Sequence, residues 1–316
     1  MLATAACLEP PVDPAVAELA SRAFLLDELV AWPVAEPELI RGGVVEPGGS
    51  AVIWTALDEV LVFTPGEPEP EARPDLEPPV IFVEPASAPP GAFARSRAEG
   101  TFVRVSAAPD APGGSADEAG LPARCPSLAG ALAVVAAPGG LLALDHVGGT
   151  PLHRVSAIEA GGAECEVIAE VPVDCAGSTP GIVGPRNGVL FAGCPDPARP
   201  LLRIDLSAAG MRVGEVDASV PSTFENAPGA AAQWTVMPLL RVDGGLFRVL
   251  ADVRSDLTRF EFWSDEGVHV RTTALAATVG FFASSPDDQL LLGLRDDPTS
   301  ELVVYAWSWG SVLPGR

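Results

Sequence analysis

The chain has 316 residues, 48% of them hydrophobic, enough for one large packed domain or two ordinary ones, which excludes a chain disordered throughout. A formal charge of −23 opposes binding to nucleic-acid phosphates and anionic lipid, since both require a basic surface. All 19 basic residues are arginine, which excludes Schiff-base lysines, Ser–Lys dyads and phosphate-loop lysines. The 32 Gly and 33 Pro interrupt apolar runs too often for long helices and suit many short strands joined by turns. No segment offers the about 18 consecutive apolar residues of a spanning helix.

In chain order, Leu2-Ala3-Thr4-Ala5-Ala6 sets small residues directly before Cys7, after which the sequence turns to Leu8-Glu9-Pro10-Pro11-Val12-Asp13-Pro14. This resembles the end of a bacterial lipoprotein signal, where small residues precede a cysteine that is acylated and becomes the mature N-terminus. Thr4 stands where that family carries leucine, and the charged and apolar parts of such a signal do not precede it. The resemblance implies a signal remnant over residues 1–7, lipidation at Cys7, a start codon placed too far downstream, and a protein of the cell envelope. An Ala-rich cytosolic start is the alternative.

Residues 8–40 read as a tether and an N-terminal segment. The prolines favour an extended chain. Asp13-Pro14 then suits the start of a helix through about Val30, with Val16, Leu19, Leu26 and Leu29 on one face. The rival reading makes Phe24–Val34 strand structure in the first unit.

Residues 41–316 repeat one local pattern: an apolar run, a tight turn, a second apolar run and a Gly-containing turn. Ala51–Ala56 pairs with Val60–Phe63, Leu132–Ala136 with Leu141–Leu144, and Val189–Ala192 with Leu201–Ile204. Leu246–Leu250 then pairs with Leu257–Phe262, and Leu290–Leu294 with Leu302–Trp307. Closing glycines fall at Gly66, Gly149, Gly210, Gly267 and Gly310, and the first interval leaves room for one more unit around Phe102–Val105. About six units of roughly 50 residues predict an all-β chain forming a β-propeller of six or seven blades, with tandem β-sandwiches as the alternative. The stretches Gly66–Pro79 and Ala107–Pro122, rich in Pro, Gly and acid, read as solvated connections.

Ala143-Leu144-Asp145, followed by Gly148-Gly149 and His153, resembles the quinoprotein-type propeller repeat, with Gly148 where that family has threonine and His153 where it has tryptophan. The resemblance covers about 11 residues. It supports a propeller; the quinoprotein cofactor is not expected, because the chain is short and has no adjacent cysteines. No cofactor is assigned.

With Cys7 set apart, Cys125, Cys165, Cys175 and Cys194 form an even set that allows two disulfides by any of three connectivities, which suits an oxidising compartment. His146, His153 and His269 read as turn-packing or solvent-facing residues, with His146 and His153 on either side of one turn. Asp287-Asp288 and Asp296-Asp297 read as turn acids. No Gly-x-Ser-x-Gly, His-Glu-x-x-His, calcium-loop or Gly-x-Gly-x-x-Gly pattern is present, so no catalytic or metal residue is assigned. Trp54, Trp234, Trp263, Trp307 and Trp309 fall in or beside strands, where interblade packing is expected. Trp307-Ser308-Trp309 also places two indoles on one face, a candidate contact surface.

The expected function is therefore non-enzymatic: a monomeric envelope lipoprotein whose propeller binds or scaffolds an envelope protein or extracellular ligand, touching the membrane through its lipid anchor alone. Lipoprotein propellers that assist outer-membrane protein assembly are the nearest analogy. The rival is an extracytoplasmic hydrolase or lyase with carboxylates gathered over the central channel.

Overall fold

The computed structural model describes residues 22–83, 91–105, 121, 124–128, 130–137, 140–161, 164–175, 180–186, 188–194, 201–207, 210–216, 234–242, 244–252, 257–275, 279–285, 289–296 and 299–312. Each apolar run is a strand whose alternate side chains point to opposite faces, and both faces are buried. That double burial is why the runs are apolar almost without interruption.

Strand β1 is Arg22–Pro33. Blade 1 comprises β2 (Ile40–Val45), β3 (Ala51–Thr55), β4 (Val60–Phe63) and β5 (Glu71–Ala72). Blade 2 comprises β6 (Leu76–Val83), β7 (Gly91–Ser96) and β8 (Phe102–Val105). Blade 3 comprises β9 (Ala133–Ala137), β10 (Gly140–His146), β11 (Leu152–Gly161) and β12 (Glu164–Asp174). Blade 4 holds β13 (Gly181–Arg186), β14 (Val189–Gly193), β15 (Leu201–Ser207) and β16 (Gly210–Val216). Blade 5 holds β17 (Trp234–Val242), β18 (Gly245–Asp252), β19 (Leu257–Ser264) and β20 (His269–Leu275). Blade 6 is β21 (Val279–Ser284), β22 (Leu290–Asp296), β23 (Ser300–Val312) and, as its outermost strand, β1.

All pairings within blades are antiparallel. The first strands touch in a closed circuit, β2 to β6, β9, β13, β17, β21 and back to β2. The protein is a six-bladed β-propeller, and tandem sandwiches are not what forms.

One apolar core fills each gap between blades. Val52 and Val62 of blade 1 pack on Ala92, Ala94 and Val105 of blade 2. From the opposite face, Ala51, Ile53 and Phe63 pack on Leu292, Leu302 and Val304 of blade 6. Each valine, leucine, isoleucine and phenylalanine among them contributes about 1.5–3 kcal/mol by leaving water.

Ring closure decides between the two readings of the N-terminal segment. Arg22–Pro33 is a strand, paired with β23 from Phe24 opposite Trp309 to Pro33 opposite Glu301. An isolated helix of this length is marginal in water, whereas the open edge of β23 offers a ladder along the whole strand and apolar cores for Phe24, Leu26 and Trp32. Trp32 is buried in the blade 6–1 core and donates its indole N–H to the Glu67 carbonyl, 3.1 Å away. Arg295 of β22 reaches Glu28 at 2.6 Å and also holds Glu301 of β23, tying β1 to the two strands inside it.

A correction concerns Gly66–Pro79. Part of it is structured: β5 and the start of β6 lie there, and Leu76 is fully buried. Pro78 and Pro79 sit where the β6–β7 register shifts between Glu77 and Ile81, a place where the ladder does not need their missing N–H groups. Of Ala107–Pro122 only Leu121 lies among the described residues; it is buried with Cys125 and Leu128 between blades 2 and 3.

Candidate functional site

The alternating strand direction gives the ring two faces. The upper face carries the turns between second and third strands and the links into each next inner strand; the lower face carries the remaining turns. Among the described residues the six inner strands bring one carboxylate, Glu77. It faces Arg95 and Arg97 at 3.5 and 3.8 Å. Arg97 also donates to the carbonyls of Leu76 and Asp58, at 2.9 and 2.6 Å, joining the upper turns of blades 1 and 2. Leu57 and Leu132, beside inner or upper turns, stand exposed to solvent.

The histidines lie in two different blades. His146 and His153 face each other at the upper end of the β10–β11 hairpin, rings 5.2 Å apart and nearly perpendicular. Burial pushes the His153 imidazole below its ordinary pKa, His146 pushes it further, and Asp145 acts in opposition. Asp145 itself pairs with Arg154 at 3.0 Å. His269 begins β20 in blade 5, bonds Thr272 at 3.0 Å and packs edge-on against Trp263; burial lowers its pKa as well.

The cysteines settle into one of the three connectivities. Cys125 bonds Cys165, and Cys175 bonds Cys194, with Cα atoms 5.1 and 5.2 Å apart. The first staples the segment flanking blade 2 to the outer strand of blade 3. The second joins the end of β12 to the end of β14, blade 3 to blade 4. Such bonds persist in an oxidising, extracytoplasmic setting. Cys7, Asp287-Asp288 and Asp297 lie outside the described residues.

Trp307 is buried in the blade 5–6 core and Trp309 is half-buried at its margin. The two indoles meet edge to face at 5.9 Å, with Phe24 and Phe247 against both. β1 supplies Phe24, so the indoles are covered by the closing strand.

Sequence reasoning missed a charged interior on the other face of blade 5. By alternation, Leu246, Arg248, Arg259, Glu261 and Trp263 look toward blade 4, while Phe247, Phe260 and Phe262 look toward blade 6. Glu261 is fully buried and accepts from Arg248 Nε at 2.6 Å and from the Arg259 guanidinium. Arg241 pairs with Asp265 at 2.8 Å and lies over the Phe191 ring of blade 4. Arg203 of blade 4 donates to the Asp265 carbonyl at 3.0 Å. The signal was present as Arg259-Phe260-Glu261-Phe262-Trp263, charge alternating with aromatic, which ordinarily marks a strand with one wet face.

No family model matches the chain, and no curated protein matches it. Among solved structures, a β-propeller domain from Myceliophteria thermophila is 14% identical, with 84% of this chain and 83% of that one covered at a TM-score of 0.44. The calcium-binding protein regucalcin from Agrobacterium tumefaciens is 12% identical, covering 88% and 92% at 0.45. A chain of a mitotic checkpoint complex is 12% identical, covering 97% and 98% at 0.46.

Proposed function

We propose that this propeller is a non-catalytic binding or scaffolding protein of the bacterial cell envelope, monomeric, anchored by lipid at Cys7 and engaging an envelope protein or extracellular ligand through its loops. The observation that carries the reading is the pair of disulfides, one stapling the segment after blade 2 to the outer strand of blade 3 and the other joining blade 3 to blade 4. Cross-links of this kind require an oxidising compartment to form and persist. The make-up of the inner strands supports binding over catalysis: among the described residues they bring Glu77 alone as a carboxylate, and it is neutralised by two arginines. The acidic charge of −23 keeps such a surface soluble and steers it away from anionic membranes, leaving contact with the bilayer to the anchor.

The experiment is labelling with a radioactive fatty acid in cells that carry the gene in its native genomic context, comparing the normal chain with Cys7→Ala. A parallel sample is alkylated before and after reduction. Label on the normal chain alone, with Cys125, Cys165, Cys175 and Cys194 reactive only after reduction, is the expected result. Unlabelled protein whose four thiols react without reduction refutes the reading.

A further inference from the structure

His146 and His153 are the last opposed pair of the β10–β11 hairpin before its turn. The adjoining pair shares a backbone bond, Val147 N–H to the Leu152 carbonyl at 2.9 Å. Antiparallel pairs alternate, so the two histidines occupy the narrower, non-hydrogen-bonded site, where opposed side chains stand closest. Their ring centroids are 5.2 Å apart at 75°. Two imidazoles bonded through nitrogen to one tetrahedral ion, each with a Zn–N distance of about 2.0–2.1 Å, have centroids about 5 Å apart.

A second observation points the same way. His153 is 3% exposed, and among the described residues its buried Nδ1 has no hydrogen-bond partner. An orphaned buried nitrogen is costly and calls for a water or an ion. The floor beneath the pair is apolar: Leu144 and Val155 share its face, and Val173 lies opposite His153. His146 stands at the open, solvent side.

We propose that His146 and His153 form a two-imidazole site for a borderline divalent transition cation, zinc or copper(II), with its remaining coordination positions open to water. Neutral imidazole suits these ions, whereas calcium and magnesium prefer oxygen donors and do not compete for it. Burial and the neighbouring His146 both disfavour the charged imidazolium of His153. Among the described residues no group of three or more His, Cys, Asp or Glu gathers to hold a metal, so the protein supplies two bonds and the remaining positions stay exchangeable. The site stands independently of the envelope reading.

The test is titration of the full chain with zinc chloride by calorimetry, with imidazole resonances followed by NMR and excess calcium present throughout. The expected result is one zinc per chain, with both His146 and His153 resonances perturbed. His146→Ala, at an exposed position that folding does not depend on, should weaken binding at least about tenfold, and His153→Ala likewise, since each removes one of two protein bonds. His269→Ala, in blade 5, should bind as the parent does. Absence of stoichiometric zinc binding, or a His146→Ala protein that binds zinc like the parent through its acidic surface, overturns the assignment.

Discussion

Replacing Glu261 with leucine should destabilise the propeller by about 3–5 kcal/mol, because it leaves Arg248 and Arg259 in the blade 4–5 gap without the carboxylate that both hold. The site cannot flood easily: Glu261 is fully buried, Arg248 is 2% exposed, and Trp263 covers the Arg248 guanidinium at 5.6 Å. At about 2.1 cal/mol/K per residue, the 316-residue chain has an unfolding entropy of about 0.66 kcal/mol/K, so the melting temperature should fall by about 5–8 °C. Differential scanning calorimetry reads this directly. The companion protein carries Arg248→Met, Glu261→Leu and Arg259→Leu together. It should recover most of the loss, because a desolvated ionic group and a packed apolar one of similar volume are nearly equal in free energy. An unchanged melting temperature for Glu261→Leu, or a triple variant less stable than the single one, would show that the charges are hydrated and the argument wrong.

Three further outcomes follow from the same geometry. Chain-entropy arithmetic for sequence separations of 40 and 19 assigns about 4 kcal/mol to Cys125–Cys165 and about 3 kcal/mol to Cys175–Cys194. Denaturant unfolding of each double Cys→Ser variant checks both size and order. In the presence of a chelator, acidification should reduce stability: the folded imidazoles of His153 and His269 have pKa values below the ordinary 6.5, so the unfolded chain takes up protons first. The loss begins as the pH falls through about 6.5 and is complete below the folded values, and His153→Asn should flatten the pH profile of unfolding free energy. Gly245→Ala should destabilise by at least about 2 kcal/mol, since the added carbon would strike the main-chain carbonyl of Trp263 on the paired strand, which has no room to yield. Normal stability of that variant would mean the β18–β19 strands are more widely spaced.

The hairpins were legible because their determinants are local. Strand alternation, β-forming residues and turn residues within a few positions of one another specify each pair, and the five pairings read from the sequence are those of the propeller. Gly66, Gly149 and Gly267 illustrate the point: all three have positive φ, a requirement that a turn imposes whatever surrounds it. The unit near Phe102–Val105 was likewise visible as β8. Which strand of a blade each one becomes was not visible. The pair at Leu132–Leu144 forms the first and second strands of its blade, whereas the other four pairs are second and third.

The set of hairpins, the all-β class, the approximate number of units and the even complement of cysteines are therefore local properties, readable residue by residue. The tertiary structure decided the rest. It paired Arg22–Pro33 with the far end of the chain, chose one disulfide connectivity from three, and covered the Trp307 and Trp309 indoles with Phe24. It also buried the Arg248–Glu261–Arg259 group in a gap between blades, where an alternating pattern alone reads as a wet face. The physical reason is common to all four. Each depends on what lies against a strand face or edge after the ring closes, and alternation specifies that a side chain points away from its neighbour without specifying what it meets.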